Sequence, residues 1–297
     1  MIRTERANAK INLYLDVISR RENGYHNLVS IMQTVSLCDI VTVEYDPAPQ
    51  SVIELSSSGN TAMPTDCRNL AWRAAELFLR ESGKSGRVKI FLEKHIPMEA
   101  GLAGGSTDAA AVLRALNLLS GKPLDTNSLC ALGARLGADI PFCIKGGTAL
   151  VTGIGDGLDE LAPMGDCPLV VAKMGAGIST VWAYGELDRL HHNFKDGSDR
   201  GEKAGELAQR LSQGDLVGAG ELCYNIFEEV VPAHQGCVDP LKDVMKQNGA
   251  IRAMMSGSGP SVFGLFANLA DAEKTCEALR EMGAEAFVCH PRGKYVD

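Results

Sequence analysis

Apolar and polar side chains alternate between residues 7 and 18 (ANAKINLYLDVI), which predicts a strand, and RRENGYHNL supplies a turn at Asn23–Gly24. The β-branched run 31–45 reads as one or two strands, with two more at 52–59 (VIELSSSG) and 87–97 (RVKIFLEKHIP). Residues 69–83 (NLAWRAAELFLRESG) instead carry apolar positions at helical spacing and stop at a glycine. Helical spacing returns over 106–119 and 126–137, and ADIPFCIKGGTALVTGIGD reads as a buried turn followed by a strand pair.

ELAPMGDCP (160–168) gathers prolines and a glycine and marks a boundary, dividing the chain into 1–160 and 165–297. Beyond it PLVVAKM reads as a strand and STVWAYGELDRL (179–190) as a helix with a serine cap. HHNFKDGSDRGEKAGE is polar and reads as a loop. AIRAMMSGSGPSVFGLF (250–266) reads as strand, tight turn, strand, and AEKTCEALREMG with AFVCHP as a helix and a last strand. Strands mixed with helices, without regular βαβ alternation, predict an α+β fold.

Composition narrows the class. A length of 297 residues allows two cores, and 45% apolar with 22% charged residues is ordinary for a soluble globular protein. A net charge of -8 argues against a nucleic-acid partner. The charged N-terminus lacks the apolar run of a signal peptide, and no apolar stretch approaches the roughly 20 residues that span a bilayer. A cytoplasmic protein with no membrane partner is expected. The nine cysteines are odd in number and irregularly spaced, without a C-x-x-C pair. Free thiols are therefore expected rather than a disulfide framework or a zinc site.

The chain has no G-x-x-x-x-G-K-[ST] loop, no G-x-G-x-x-G after a strand, no H-E-x-x-H and no G-x-S-x-G elbow. IPMEAGLAGGSTDAAAVL (96–113) places Gly101, Gly104 and Gly105 before a helix. This suits a sharp strand-to-helix turn, or an anion cradle made of amides, the hydroxyls of Ser106 and Thr107 and a helix N-terminus. Gly257, Ser258 and Gly259 either close a hairpin or press backbone against a ligand. Asp139, inside an apolar run, is a turn residue or a general base in need of a cationic partner. Lys10 shares a strand face with Asn12, so the pair either meets solvent or lines a cleft. Tyr25 and His26 are ordinary surface residues singly, and together can stack on and hydrogen-bond to a planar ring.

Five blocks follow one another in a telling order: AKINLYLDVISRRENGYHNL, NLAWRAA, IPMEAGLAGGSTDAAAVLRALN, LGADIPFCIKGGTALVTGIGD and MSGSGPSVFGLF. Together they strongly resemble the small-molecule kinases that group galactokinase, homoserine kinase, mevalonate kinase and phosphomevalonate kinase (GHMP kinases). The resemblance covers nearly the whole chain and is weak over 190–245. AKINL and RRENGYHNL are most similar to the branch whose acceptor is 4-diphosphocytidyl-2-C-methyl-D-erythritol, an intermediate of non-mevalonate isoprenoid synthesis.

The resemblance implies an N-terminal ATP-binding domain, a C-terminal ferredoxin-like α/β-plait domain and an active site in the cleft between them. It implies ATP as co-substrate with Mg²⁺, the cytidyl diphosphate as acceptor, and a monomer or homodimer. Asp139 would take the proton from the acceptor hydroxyl, and Lys10 would orient that hydroxyl and favour the charged carboxylate. Pro97, Met98, Glu99, Ala100, Gly101, Leu102, Ala103, Gly104, Gly105, Ser106 and Thr107 would wrap the ATP phosphates, with Asn69 and Lys94 near the adenosine. Tyr25 would stack on the cytosine, His26 hydrogen-bond to its amide edge and Tyr184 form the opposite wall. Asn12 would reach the substrate phosphates or diol, beside Gly257, Ser258 and Gly259. Mg²⁺ would lie near Ser106 or Thr107, and no acidic metal cluster shows in the sequence. The family commonly has glycine at the positions of Glu99 and Ala103, and often serine at Thr107.

Overall fold

Two long strands, β1 (Ile2–Arg20) and β2 (His26–Pro47), form an antiparallel hairpin around the turn at Gly24, whose φ is +85°. The computed structural model describes residues 1–59, 63–191, 194 and 198–295. After the hairpin come β3 (Val52–Ser58), α1 (Leu70–Ser82), β4 (Gly86–Glu93), α2 (Gly104–Leu119), α3 (Thr126–Ala134), α4 (Ile140–Lys145), β5 (Thr148–Gly153) and β6 (Gly157–Glu160). The far half of β2 pairs with β4 and its near half with β5, so one strand serves two neighbours along its length. Asn69 caps α1 by accepting from the Ala71 amide, and Gly83 ends it in the left-handed region at φ 66°. Helices α1 and α2 cover one face of this sheet, where Ala74 and Phe78 meet Val43, Ile90 and Leu113.

The second half runs β7 (Leu169–Lys173), α5 (Thr180–Leu190), α6 (Ser198–Ser212), α7 (Leu216–Leu222), β8 (Tyr224–Asn225), α8 (Val231–His234), α9 (Val238–Gln247), β9 (Arg252–Met255), β10 (Val262–Leu265), α10 (Leu269–Glu281) and β11 (Glu285–Cys289). Its sheet has the order β11-β7-β10-β9 with every neighbour antiparallel, which is the ferredoxin-like plait. Short β8 leaves that unit and pairs in parallel with β1 at Tyr14 and Leu15. A shared core of Ile11, Leu13 and Ile31 with Leu169, Val171 and Phe263 joins the two halves.

Lys10 and Asn12 do not face solvent. Residues 7–17 of β1 are buried without alternation, because helices cover one face and the second half of the chain covers the other. Two expectations need correction. The ADIPFCIKGG turn contains a helix, α4, with proline in its first turn, where the missing N–H costs nothing. The polar segment read as a loop is helical from Ser198, because Ala204, Leu207 and Leu211 form a buried stripe that the polar face obscures. The part of that loop at 192–193 and 195–197 lies outside the described residues. Among the described residues no helix is long and apolar enough to cross a membrane.

Candidate active site

A cavity of about 820 Å³ opens between the halves, walled by β1, the segment from Lys94 to Ser106, Asp139, α5 and the second glycine turn. Its anion-binding wall is built from the start of α2. Ala103 occupies the N-cap with φ 59° and makes no side-chain cap, and no acidic residue occupies the first turn. The first helical bond runs from the Thr107 amide to the Ala103 carbonyl at 2.9 Å. The amides of Gly104, Gly105 and Ser106 therefore have no partner within the helix, and the dipole adds about half a positive charge beside them.

Gly101 explains why this loop needs glycine. With φ at 74°, an added Cβ would lie 2.1 Å from the Ser256 carbonyl oxygen. Gly257, in turn, would place a Cβ 2.9 Å from the Gly101 oxygen. The two glycine turns thus press backbone against backbone, and the Ser256 hydroxyl donates to the Gly101 carbonyl at 3.1 Å. Gly257 and Ser258 line the cavity. Gly259 lies outside the lining, where it packs against Met255.

Not every residue of the 97–107 stretch faces the cavity. Pro97 to Gly101 and Ala103 to Ser106 line it, whereas Leu102 is core. Thr107 is buried, and its hydroxyl donates to the Asn8 carbonyl at 2.7 Å, tying α2 to β1. Ser106 keeps its side chain on the cavity side, near Gly137. Asn69 lines the cavity while also capping α1. Lys94 lines it as well, but its ammonium is held between Asp39 and Asp108, the latter at 2.5 Å. Asp39 also accepts from the His95 and Ile96 amides at 2.6 and 2.8 Å, fixing the chain as it enters the loop. Burial pushes the Asp108 carboxyl up to about 7 against the pull of Lys94, and neighbouring Asp39 adds to the rise.

Across the cavity Lys10 and Asp139 stand 4.0 Å apart. The Lys10 ammonium donates to Asn12 Oδ1 at 2.7 Å and to the Gly101 carbonyl at 3.2 Å, so it bridges the acceptor wall and the glycine loop. Asn12 is oriented in turn, its amide donating to the Ser30 hydroxyl at 2.8 Å. Asp139 immediately precedes α4 and makes no capping bond, so its carboxylate is uncommitted within the helix. One wall can thus receive anions, and the facing one holds a carboxylate beside a cation.

Residues 69–147 match the family profile of the GHMP kinases N terminal domain, and 206–285 that of the GHMP kinases C terminal. A protein of Caldicellulosiruptor saccharolyticus named 4-diphosphocytidyl-2-C-methyl-D-erythritol kinase is 41% identical over 275 residues, 93% of this chain and 92% of its own. The chain belongs to the GHMP kinases. A Synechococcus protein of the same name is 42% identical over 277 residues, 92% of this chain and 88% of its own. A crystal structure of 4-(cytidine 5'-diphospho)-2C-methyl-D-erythritol kinase superposes with a TM-score of 0.80 at 33% identity, covering 98% of this chain and 100% of that one. L. major mevalonate kinase in complex with R-mevalonate, at 16% identity and a TM-score of 0.73 over 99% and 97% of the chains, shares the fold.

Aromatic side chains line one part of the cavity in this GHMP kinase. Tyr184 and Phe227 meet edge to face at 5.0 Å, and burial followed by the Asp139 charge pushes the Tyr184 phenol up to about 12. His26 stacks on Tyr184 with centroids 4.7 Å apart and bonds Asp188 through Nε2 at 2.7 Å. Tyr25 lies at the hairpin tip, 61% exposed and outside the cavity lining. Sequence reasoning missed Asp39, Asp108, Ser256, Phe227 and Asp188. Asp108 sits within the quoted glycine motif, but nothing local marks a carboxylate whose lysine lies fourteen residues away. Among the described residues no group of three or more His, Cys, Asp or Glu side chains is placed to hold a metal ion.

Proposed function

We propose that this kinase transfers the terminal phosphoryl group of ATP to the 2-hydroxyl of 4-diphosphocytidyl-2-C-methyl-D-erythritol, a step of non-mevalonate isoprenoid synthesis, with Asp139 as base. The observation that carries the mechanism is the Lys10–Asp139 pair, 4.0 Å apart and facing the open start of α2 across one cavity. Asp139 accepts the hydroxyl proton as the oxygen attacks. Lys10, held by Asn12 and Gly101, offsets the charge that develops between the acceptor oxygen and the phosphoryl group. The amides of Gly104 to Ser106 face the transferred phosphoryl, in keeping with a reaction in which positioning and charge stabilisation dominate.

Mg²⁺ fits this wall without an all-protein cage, since it is ordinarily held by one or two protein oxygens together with substrate phosphates and water. Ser106 offers such an oxygen in the cavity, and the ion would supply charge neutralisation of the ATP phosphates. The cytidyl acceptor is supported by the named relatives at about 40% identity over nearly the full chain and by aromatic Tyr184 and Phe227 in the lining.

Asp139→Asn is expected to lower kcat by roughly 10²–10⁴-fold, the usual worth of a general base, while an unreactive ATP analogue binds within about twofold of wild type. A near-normal rate would remove Asp139 from the mechanism. Wild-type turnover of homoserine or mevalonate, with none of the cytidyl substrate, would overturn the substrate assignment.

A further inference from the structure

A second cavity, of about 600 Å³, lies between the start of β1, the end of α2, the start of α3, α4 and the C-terminal segment. That volume is within the range of roughly 300–1,000 Å³ usual for small-molecule sites. It shares no lining residue with the first cavity, and phosphoryl transfer has no use for it. Five cations line it (Arg3, Arg114, Lys122, Lys145 and Lys294) against three carboxylates, Glu5, Asp125 and Glu160. Five against three leaves an excess of two positive charges, in a chain whose net charge is -8.

The carboxylates are already committed. Glu5 is shared by Arg3 at 2.5 Å and Arg114 at 3.4 Å, and Glu160 by Lys145 at 3.7 Å and Lys294. Asp125 caps α3, accepting from the Ser128 amide at 2.7 Å. Lys122 has no carboxylate partner among the described residues. Its place is nevertheless fixed, in left-handed backbone at φ 57°, with its amide donating to the Asn117 carbonyl at 2.7 Å. Arg114 lies on the Tyr295 ring at 3.6 Å and donates to the Cys143 carbonyl at 2.8 Å, so three walls are joined before any ligand arrives. Buried Leu129 and Ile144 add an apolar surface. A monocarboxylate would leave part of the excess charge unbalanced, whereas a phosphate monoester carries about two negative charges at neutral pH. We propose that this cavity is a second ligand site, taking a small phosphate monoester with an apolar body. The phosphate meets the ammonium groups, Lys122 among them, and the body rests on Leu129 and Ile144. The site does not depend on which acceptor the kinase uses.

Phenyl phosphate titrated into the ¹⁵N-labelled full chain at pH 8 and low salt tests this, because backbone amide shifts report where it binds. Saturable shifts are expected at Leu118, Asn127 and Leu129, apart from any at Gly104 to Ser106 in the first cavity. Lys122→Gln is expected to weaken that binding about tenfold and Lys122→Arg to keep it, with kcat and both KM values unchanged in the absence of phenyl phosphate. Uncharged phenol is expected to bind there at least tenfold more weakly, and added salt to weaken phenyl phosphate. Shifts confined to the first cavity, or none at all, overturn the proposal. So does a Lys122→Gln protein of normal activity that binds phenyl phosphate as wild type does, or phenol binding equally well.

Discussion

Ala103 and Glu99 hold left-handed backbone, at φ 59° and 48°, where an L side chain costs roughly 1–2 kcal/mol. Glycine at these positions would carry no such cost, and this chain tolerates side chains for different reasons. The Glu99 side chain lies over Gly177 of the second half, where a Cβ would come within 2.3 Å of Glu99 Cβ. Ala103 stands at the mouth of α2 with its methyl partly packed on the first-half core. Ala103→Gly is therefore expected to stabilise the protein by about 0.5–1 kcal/mol in urea unfolding, the strain relieved outweighing the added chain entropy. Gly101→Ala is expected to do the opposite. Its Cβ would strike the Ser256 carbonyl, separate the glycine turns and raise the KM for ATP, and an unchanged KM would show that the turns need not touch.

At the scale of elements, α6 shows how a polar sequence can still form part of the core. Its mean hydropathy is low, yet Ala204, Leu207 and Leu211 pack onto the cluster containing Ile11 and Ile31. Leu207→Ala is expected to cost about 2–5 kcal/mol in urea unfolding, while Gln209→Ala on the exposed face changes stability by less than about 0.5 kcal/mol. Equal small effects would show that α6 rests on the surface without supporting it. The start of α2 makes the complementary point. A helix N-terminus without a cap is left open to a ligand, and Thr107 and Asp108, turned inward, hold the helix in place.

The ion cluster of Asp39, Lys94 and Asp108 joins β2, the glycine loop and α2, so its protonation bears on the whole molecule. Burial favours the neutral Lys94, but the two carboxylates outweigh it and hold the ammonium charged above its ordinary range. One lysine cannot balance two buried carboxylates, and burial accordingly raises Asp108 from 3.8 to about 7. Between those values the native protein holds a proton that the unfolded chain has lost. This group's contribution to stability is thus full below about pH 4, falls as pH rises toward 7 and levels off above. Urea midpoints at pH 5 and pH 8 should differ less in Asp108→Asn than in the wild type. An identical difference would place the titration elsewhere.

The alternation in 7–18, the capped helix at 69–83, the glycine block at 96–105 and the order of the five motifs were legible because each depends on neighbours within a few residues. They determined the α+β class, the two-part chain and the family, with Lys10 and Asp139 among its motif residues. What tertiary structure alone decided is which distant groups meet. It brought Asp139 within 4.0 Å of Lys10, pressed Gly257 against Gly101, locked Lys94 between two carboxylates and set Asp188 against His26. It also left Tyr25 exposed at the hairpin tip and turned Thr107 into the core. Sequence encodes these partners without revealing the pairing. The free energy of burying a charge or packing two backbones depends on chain segments separated by tens to hundreds of residues, and only the packed sheets fix where those segments touch.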